Sequence, residues 1–170
     1  MLAQPVRAGE AFILQCEPRR GDTLSHTYAQ NVVHVVFSTK ERQRSIEKEF
    51  QPRMWSYVGG VCKGAGIFVH AVGGMDDHIH LLIQVPPVLS LAKAVMTIKA
   101  NSSKWANELG REFAWQQGYG AFGVSWSSVP KVIRYIENQG SYHKKISFQQ
   151  EFIAFLEKHG IEYDPRYVFG

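Results

Sequence analysis

Two histidines stand one residue apart, His78 and His80, within the stretch DHIHLLI. The apolar residues around them predict a buried strand, in which successive side chains alternate between two faces. Both imidazoles therefore point to the same side, where two such groups can bind one divalent cation. A pair of surface histidines has the same spacing, so the spacing alone leaves both interpretations open.

Neighbouring polar residues add little to this choice. Asp76 and Asp77 precede the strand and can orient an imidazole as hydrogen-bond acceptors, although aspartates are also common turn residues. His34 and His70 lie on other predicted strands, and we interpret each as a structural residue.

A tyrosine and a glutamine occur together in the second informative stretch, SSVPKVIRYIENQG. Its apolar residues repeat at helical spacing, which predicts a helix that begins after Ser128 and ends at Gly140. Tyr135 lies roughly 110° from the centre of the apolar stripe, and Lys131, Tyr135 and Gln139 share one flank. Tyr135 alone also fits a rim tyrosine whose ring covers the edge of the core.

Combined with the histidines, these residues suggest phosphoryl chemistry. Gln139 can supply an amide oxygen as a third metal ligand, which brings Tyr135, one turn away, near the ion. A metal ion polarises a phosphodiester, and a tyrosine phenolate can attack it to form a covalent phosphotyrosine. Because tyrosine ordinarily titrates near pH 10, Lys131, Arg134 or the ion would have to favour the phenolate.

The elements that must position these residues follow the order β, α, β, β, α, β. The first strand is predicted over residues 28–38, a helix follows and ends by Gly64, and a hairpin precedes Pro86. A second helix ends at Gly110, and residues 113–126 supply a further strand or hairpin. This order predicts a ferredoxin-like (RRM-like) α+β sandwich with an antiparallel sheet, helices on one face and the two histidines on the opposite, more open face.

Two C-terminal helices follow, namely the tyrosine helix and a last helix that starts with a Ser147–Gln150 capping box and ends at Gly160. With 170 residues, we expect residues 1–24 to form a flexible extension and residues 25–170 a single domain. No secretory signal or membrane-length apolar run occurs, so the sequence predicts a cytoplasmic protein. The net charge of +4 and pI near 9.1 agree with a polyanionic partner such as nucleic acid.

Several segments in the same order resemble the single-tyrosine HUH transposases of small bacterial insertion sequences. They are HVVFSTKER, DDHIHLLIQVP, WQQGYGAFGVS and VIRYIENQ, within a similarity that runs from about residue 26 to residue 143. The resemblance implies His78, His80 and Gln139 as metal ligands and Tyr135 as the nucleophile. It also implies Mg²⁺ or Mn²⁺, and cleavage and rejoining of single-stranded DNA beside hairpins through a 5′-phosphotyrosine.

The resemblance further implies a homodimer in which the tyrosine helix of one subunit serves the histidines of the other. Glycines before that helix, Gly118, Gly120 and Gly123, fit a mobile connection or plain turns equally well. The expected DNA contacts are basic: Lys40, Arg42, Arg44, Lys99, Lys104, Lys131, Arg134, Lys144 and Lys145. Trp115, Tyr119 and Trp126 can stack on bases, although core or dimer packing is the more ordinary use of such residues.

Two other functions remain open at this point. One is a ferredoxin-like module that binds single-stranded nucleic acid without cleaving it. The other is a different HUH nicking enzyme, such as a replication initiator or a relaxase-like protein. The lack of a third histidine soon after His80 argues against that second alternative, although Tyr142 offers a spare tyrosine.

Overall fold

A four-stranded antiparallel sheet, in the order β2-β3-β1-β4, forms the centre of the protein. The computed structural model describes residues 28–169. The predicted extension over residues 1–24 and the predicted domain start at residue 25 therefore lie outside the described residues. Within them, no helix is both long and apolar enough to cross a membrane.

The predicted order of six elements is confirmed. The elements are β1 (Val32–Ser38), α1 (Gln51–Gly64), β2 (Phe68–Gly74), β3 (His78–Gln84), α2 (Leu91–Glu108) and β4 (Gly120–Gly123). Three helices follow, α3 (Val129–Glu137), α4 (Gln139–Tyr142) and α5 (Phe148–Lys158). Short 3₁₀ turns cover Lys40–Arg42 and Trp126–Ser128.

Strand alternation assigns the two faces of the sheet as the sequence predicts. On β3, Ile79, Leu81 and Ile83 enter the main core with side chains of α1 and α2. On the opposite face, Leu82 packs against Ile136 of α3. His78 and His80 share this second face, because they have the same parity as Leu82.

The expectation that the histidine face is the open one is wrong. Helices also cover this face, because α3 and α5 carry apolar stripes of their own that must be buried. Phe148 and Leu156 of α5 pack on Val36 and Phe122 of the sheet. The histidines are consequently fully enclosed, and the alternative of surface histidines is excluded.

Two predicted boundaries and one predicted helix cap also change. The first strand begins at Val32, since Tyr28 is almost completely exposed. The tyrosine helix breaks at Asn138, where the backbone leaves helical geometry (φ −99°, ψ 18°), so it ends at Glu137 instead of Gly140. Ser128 precedes α3 but does not cap it, because its hydroxyl accepts a hydrogen bond from Ser125.

The glycine-rich segment before α3 forms an ordered edge of the sheet. Gly120 and Gly123 bound β4, and a side chain at Gly120 would lie 2.7 Å from the ring of Phe152 on α5. Gly120 thus permits close packing between strand and helix. Gly118 adopts a positive φ of 76° in the preceding turn.

Candidate active site

The predicted nucleophile and all three predicted ligands come together within one chain. β3 carries His78 and His80, α3 carries Tyr135, and α4 begins with Gln139. His78 and His80 are 1% and 0% exposed and Gln139 is 2% exposed, whereas Tyr135 is partly buried. The Tyr135 ring centre lies 5.9 Å from that of His80.

Gln139 reaches the histidines although the helix breaks before it. The break at Asn138 turns the chain, and Gln139 then faces the sheet from α4. Its Oε1 lies 3.5 Å from Nε2 of His78. The predicted proximity is correct, but a separate short helix produces it instead of the continuous helical flank that the spacing suggested.

Asp77 fixes the orientation of His78. Nδ1 of His78 donates to Asp77 Oδ1 at 2.6 Å, which leaves Nε2 facing the interior of the site. Arg42 donates to the other carboxylate oxygen at 2.9 Å. Burial alone would raise the pKa of Asp77, but the His78 and Arg42 hydrogen bonds hold that pKa at about 2. Asp77 is thus an ionised acceptor and more than a turn residue.

His80 is oriented by His34, the residue that sequence reasoning left as structural. His80 Nδ1 and His34 Nε2 are 2.9 Å apart, and the rings stack with centroids 5.1 Å apart. Burial is the main reason that the pKa of each lies well below the usual histidine value. Both rings are therefore neutral near pH 7, and His80 Nε2 is available as a ligand.

Two further residues that the sequence prediction missed complete the cluster. His143 follows α4, and Glu151 lies on α5 with only 2% of its surface exposed. His78, His80, His143 and Glu151 each present one potential ligand atom, and these atoms all lie within 4.8 Å of one another. This set is compatible with a metal ion.

The sequence did contain a signal for Glu151. On α5, Phe148, Phe152 and Phe155 form the apolar stripe at i, i+4 and i+7, and Glu151 falls at i+3 on the same face. A carboxylate on a buried stripe is unusual unless it has a partner. His143 gives no comparable signal, because it lies between short elements without periodicity.

Glu151 also connects the cluster to the tyrosine. Its Oε1 accepts hydrogen bonds from the Tyr135 hydroxyl and from Gln139 Nε2, the latter at 3.2 Å. Its Oε2 lies 3.4 Å from His80 Nε2 and 3.3 Å from His143 Nε2. Burial raises the pKa of Glu151 to about 7.

The predicted basic contacts differ in burial and in pairing. Arg42 is paired with Asp77, and Lys99 Nζ donates to the carbonyls of Gln116 and Gly118. The other predicted side chains are exposed: Lys40, Arg44, Lys104, Lys131, Arg134, Lys144 and Lys145. Two of these lie near a carboxylate, Arg44 at 3.7 Å from Asp76 and Lys104 at 3.8 Å from Glu108. Their role in DNA binding stays a prediction.

The three candidate stacking residues differ in burial. Trp115 is buried, and its indole donates to Ser102 at 2.8 Å, so it belongs to the core. Tyr119 and Trp126 are exposed.

A groove of about 660 Å³ reaches the edge of the site. Gln139 forms part of its wall, and Arg44, Lys48 and Lys144 contribute positive charge to its lining. Glu47, Asp76 and Glu137 also line it, so its charge is mixed.

Known proteins resemble this chain in sequence and in fold. Residues 27–139 match the family described as "Transposase IS200 like". The transposases for insertion sequence element IS200 of Salmonella typhimurium strain LT2 and Salmonella typhi are each 27% identical over an alignment of 126 residues, and the match covers 69% of this chain and 82% of theirs.

Two solved structures resemble the fold. A crystal structure from Deinococcus radiodurans R1, of a protein proposed to be a transposase, gives a TM-score of 0.56 at 20% identity, covering 70% of this chain and 98% of its own. A REP-associated tyrosine transposase bound to a REP hairpin gives a TM-score of 0.55 at 12% identity, and the match covers 74% of this chain and 76% of the transposase chain.

The structural matches agree with the α+β fold of this chain, and the sequence match gives the class of protein, a transposase. Because the family match covers most of the chain, the protein belongs to the IS200-like transposase family.

Proposed function

We propose that this protein cleaves and rejoins single-stranded DNA at hairpin-flanked element ends, with Tyr135 as the nucleophile. The observation that carries the proposal is the convergence of Tyr135, His78, His80 and Gln139 in one buried cluster. The hairpin in the proposed substrate is supported by the related tyrosine transposase, whose structure contains a REP hairpin.

The covalent step can be written from the residues present. The Tyr135 oxygen attacks the phosphorus of a phosphodiester and the bond from phosphorus to the 3′-oxygen breaks. The tyrosine hydroxyl loses one proton and the leaving 3′-oxygen gains one, so that a 5′-phosphotyrosine and a free 3′-hydroxyl result. In the reverse direction, a 3′-hydroxyl attacks the phosphotyrosine and releases the tyrosine. No other energy source is needed, because each step exchanges one phosphate ester for another.

The residues fit a divalent ion, which the family resemblance expects to be Mg²⁺ or Mn²⁺. His78 and His80 hold their Nδ1 atoms against Asp77 and His34, which turns both Nε2 atoms inward, and Gln139 brings an amide oxygen to the same place. Nε2 of His80 is buried without a hydrogen-bond partner, the state expected of an atom built to bind an ion. When bound, the ion would polarise the phosphodiester.

A denaturing gel after incubation with single-stranded hairpin DNA and Mn²⁺ tests the proposal. We expect a covalent protein–DNA adduct that Tyr135→Phe abolishes and Tyr142→Phe retains. Tyr142 is the matched control because its ring lies 5.0 Å from that of Tyr135. Binding without an adduct on any hairpin would instead indicate a non-catalytic module. Loss of the adduct in Tyr142→Phe but not in Tyr135→Phe would indicate that Tyr142 is the nucleophile.

A further inference from the structure

Three buried polar atoms in the cluster lack a hydrogen-bond partner and face one another. They are His80 Nε2, His143 Nε2 and Glu151 Oε2. Burying a polar atom without a partner is costly, so such atoms are rare in folded proteins. Three of them at one point indicate a missing common partner.

The hydrogen bonds on the far side of two imidazoles, His78 and His143, point to a cation as that partner. His143 Nδ1 donates to the Ile146 carbonyl at 2.9 Å, as His78 Nδ1 donates to Asp77 at 2.6 Å. With Nδ1 carrying the proton, Nε2 presents a lone pair to the interior of the cluster. Lone pairs and a carboxylate oxygen repel one another unless a positive charge lies between them.

The separations agree with a shared ion. Glu151 Oε2 lies 3.3 Å from His143 Nε2 and 3.4 Å from His80 Nε2, without forming a hydrogen bond to either. Nitrogen and oxygen ligands about 2.1 Å from one ion lie roughly 3 to 4 Å apart. The other carboxylate oxygen, Oε1, is already occupied by Tyr135 and Gln139.

We propose that His143 and Glu151 are ligands of the same ion as His78 and His80 in the DNA-free protein. The inference rests on the metal site of the proposed function and extends it to the segment after α4. The ion would then join β3 to α5 and hold α5 over Tyr135. Because these groups are buried, a DNA phosphate can reach Tyr135 only after α5 has moved.

The ligand set also favours one kind of ion. Three imidazoles and a carboxylate suit transition metals such as Mn²⁺, whereas Mg²⁺ prefers oxygen ligands and retained water. We therefore expect Mn²⁺ to bind the DNA-free protein more tightly than Mg²⁺. Equal affinity for the two ions would contradict an imidazole-rich set.

Calorimetric titration of the DNA-free full-length chain with MnCl₂ tests the ligands directly. Glu151→Gln and His143→Ala are each expected to raise the Kd for Mn²⁺ about 10-fold or more. Glu157→Gln, an exposed change on the same helix, is the matched control and should leave the Kd unchanged. Glu151→Gln replaces a buried carboxylate by an isosteric amide, so we expect the variant to fold. A thermal melt of the metal-free variant checks this.

Hydrogen exchange gives a second measurement that does not depend on activity. Mn²⁺ should slow amide exchange over residues 148–158 in the unchanged protein and in Glu157→Gln, but not in Glu151→Gln. An unchanged Kd in both ligand variants, with binding lost in His78→Ala, would overturn this inference and leave the proposed function standing. Failure of the unchanged protein to bind Mn²⁺ would contradict the metal site in the proposed function as well as the additional ligands inferred here.

Discussion

At the level of single residues, the site depends on side chains that hold other side chains in place. His78, His80 and His143 each have Nδ1 engaged by a neighbour, namely Asp77, His34 and the carbonyl of Ile146. Each contact fixes the ring orientation, and the Asp77 and Ile146 oxygens also place the proton of His78 and His143 on Nδ1. The site is therefore shaped before any ligand binds.

Asp77→Asn tests this arrangement with its neighbour Asp76→Asn as the control. We expect Asp77→Asn to weaken Mn²⁺ binding by about 10- to 100-fold, because the amide is a weaker acceptor for His78 and loses its charge toward Arg42. Asp76 only approaches Arg44, at 3.7 Å on the surface, so its change should have little effect. Calorimetry with MnCl₂ measures both, and equal Kd values for the two variants would count against the orienting role of Asp77.

At the level of elements, α3 is held at a fixed distance from the sheet by Gly73 of β2. A Cβ atom at Gly73 would lie 2.8 Å from the Ile136 carbonyl oxygen and 2.9 Å from Ile136 Cγ2. Ile136 directly follows Tyr135, so the glycine permits the approach that brings the tyrosine to the histidines. No real Cβ atom could remain at that distance without a shift of the helix.

Gly73→Ala should therefore push α3 away from the sheet. We expect the free energy of unfolding to fall by roughly 1–3 kcal/mol and adduct formation to fall with it. Urea denaturation and the hairpin gel measure the two effects. Gly60→Ala in helix α1 is the control, since a Cβ atom added at Gly60 would meet nothing within 4 Å. It should raise the free energy of unfolding by roughly 0.5–1 kcal/mol, because alanine is a better helix former than glycine. A fully active, undiminished Gly73→Ala would show that α3 does not need this contact.

At the level of the whole molecule, the buried histidines should make the metal-free fold sensitive to acid. His34, His70, His80 and His143 have lowered pKa values, chiefly because of burial, so the unfolded chain binds more protons below about pH 6.5. Glu151, with its pKa raised to about 7, acts in the opposite sense, but it is one group against four histidines. The stability provided by the neutral histidines is thus present at pH values above the histidine pKa of the unfolded chain, and it is lost as the pH falls below that pKa.

We expect the free energy of unfolding of the metal-free protein to decrease between pH 7 and pH 5. Each net proton taken up on unfolding contributes roughly 1.4 kcal/mol per pH unit. Urea denaturation at several pH values measures the slope, and His80→Asn should reduce it. A flat or rising stability toward pH 5 would be inconsistent with neutral buried imidazoles.

Assembly is the remaining question at this scale. The described chain places Tyr135 beside its own histidines, whereas the family resemblance implies sites shared between two subunits, which stays a prediction. Mixing Tyr135→Phe with His78→Ala protein separates the two arrangements. Restored adduct formation in the mixture is the expected result for a shared site, and persistent inactivity would mean that each chain works with its own residues.

The sequence by itself determined much of this protein. Alternation along β3 put His78 and His80 on one face, and helical spacing predicted the α3 stripe, because both patterns depend on local backbone geometry. The capping box at Ser147 also formed as predicted. Tyr135 and Gln139 were singled out by their chemistry and their order in the chain.

Only the tertiary structure decided which face was closed and which residues joined the site. Docking of α5 depends on contacts between residues far apart in sequence, and no local pattern shows that Phe148 will cover His78 or that Glu151 will reach Tyr135. For the same reason, the break at Asn138 was missed, although Gln139 still arrived beside His78. Local propensity formed the elements, and long-range burial placed a carboxylate and a third histidine among them.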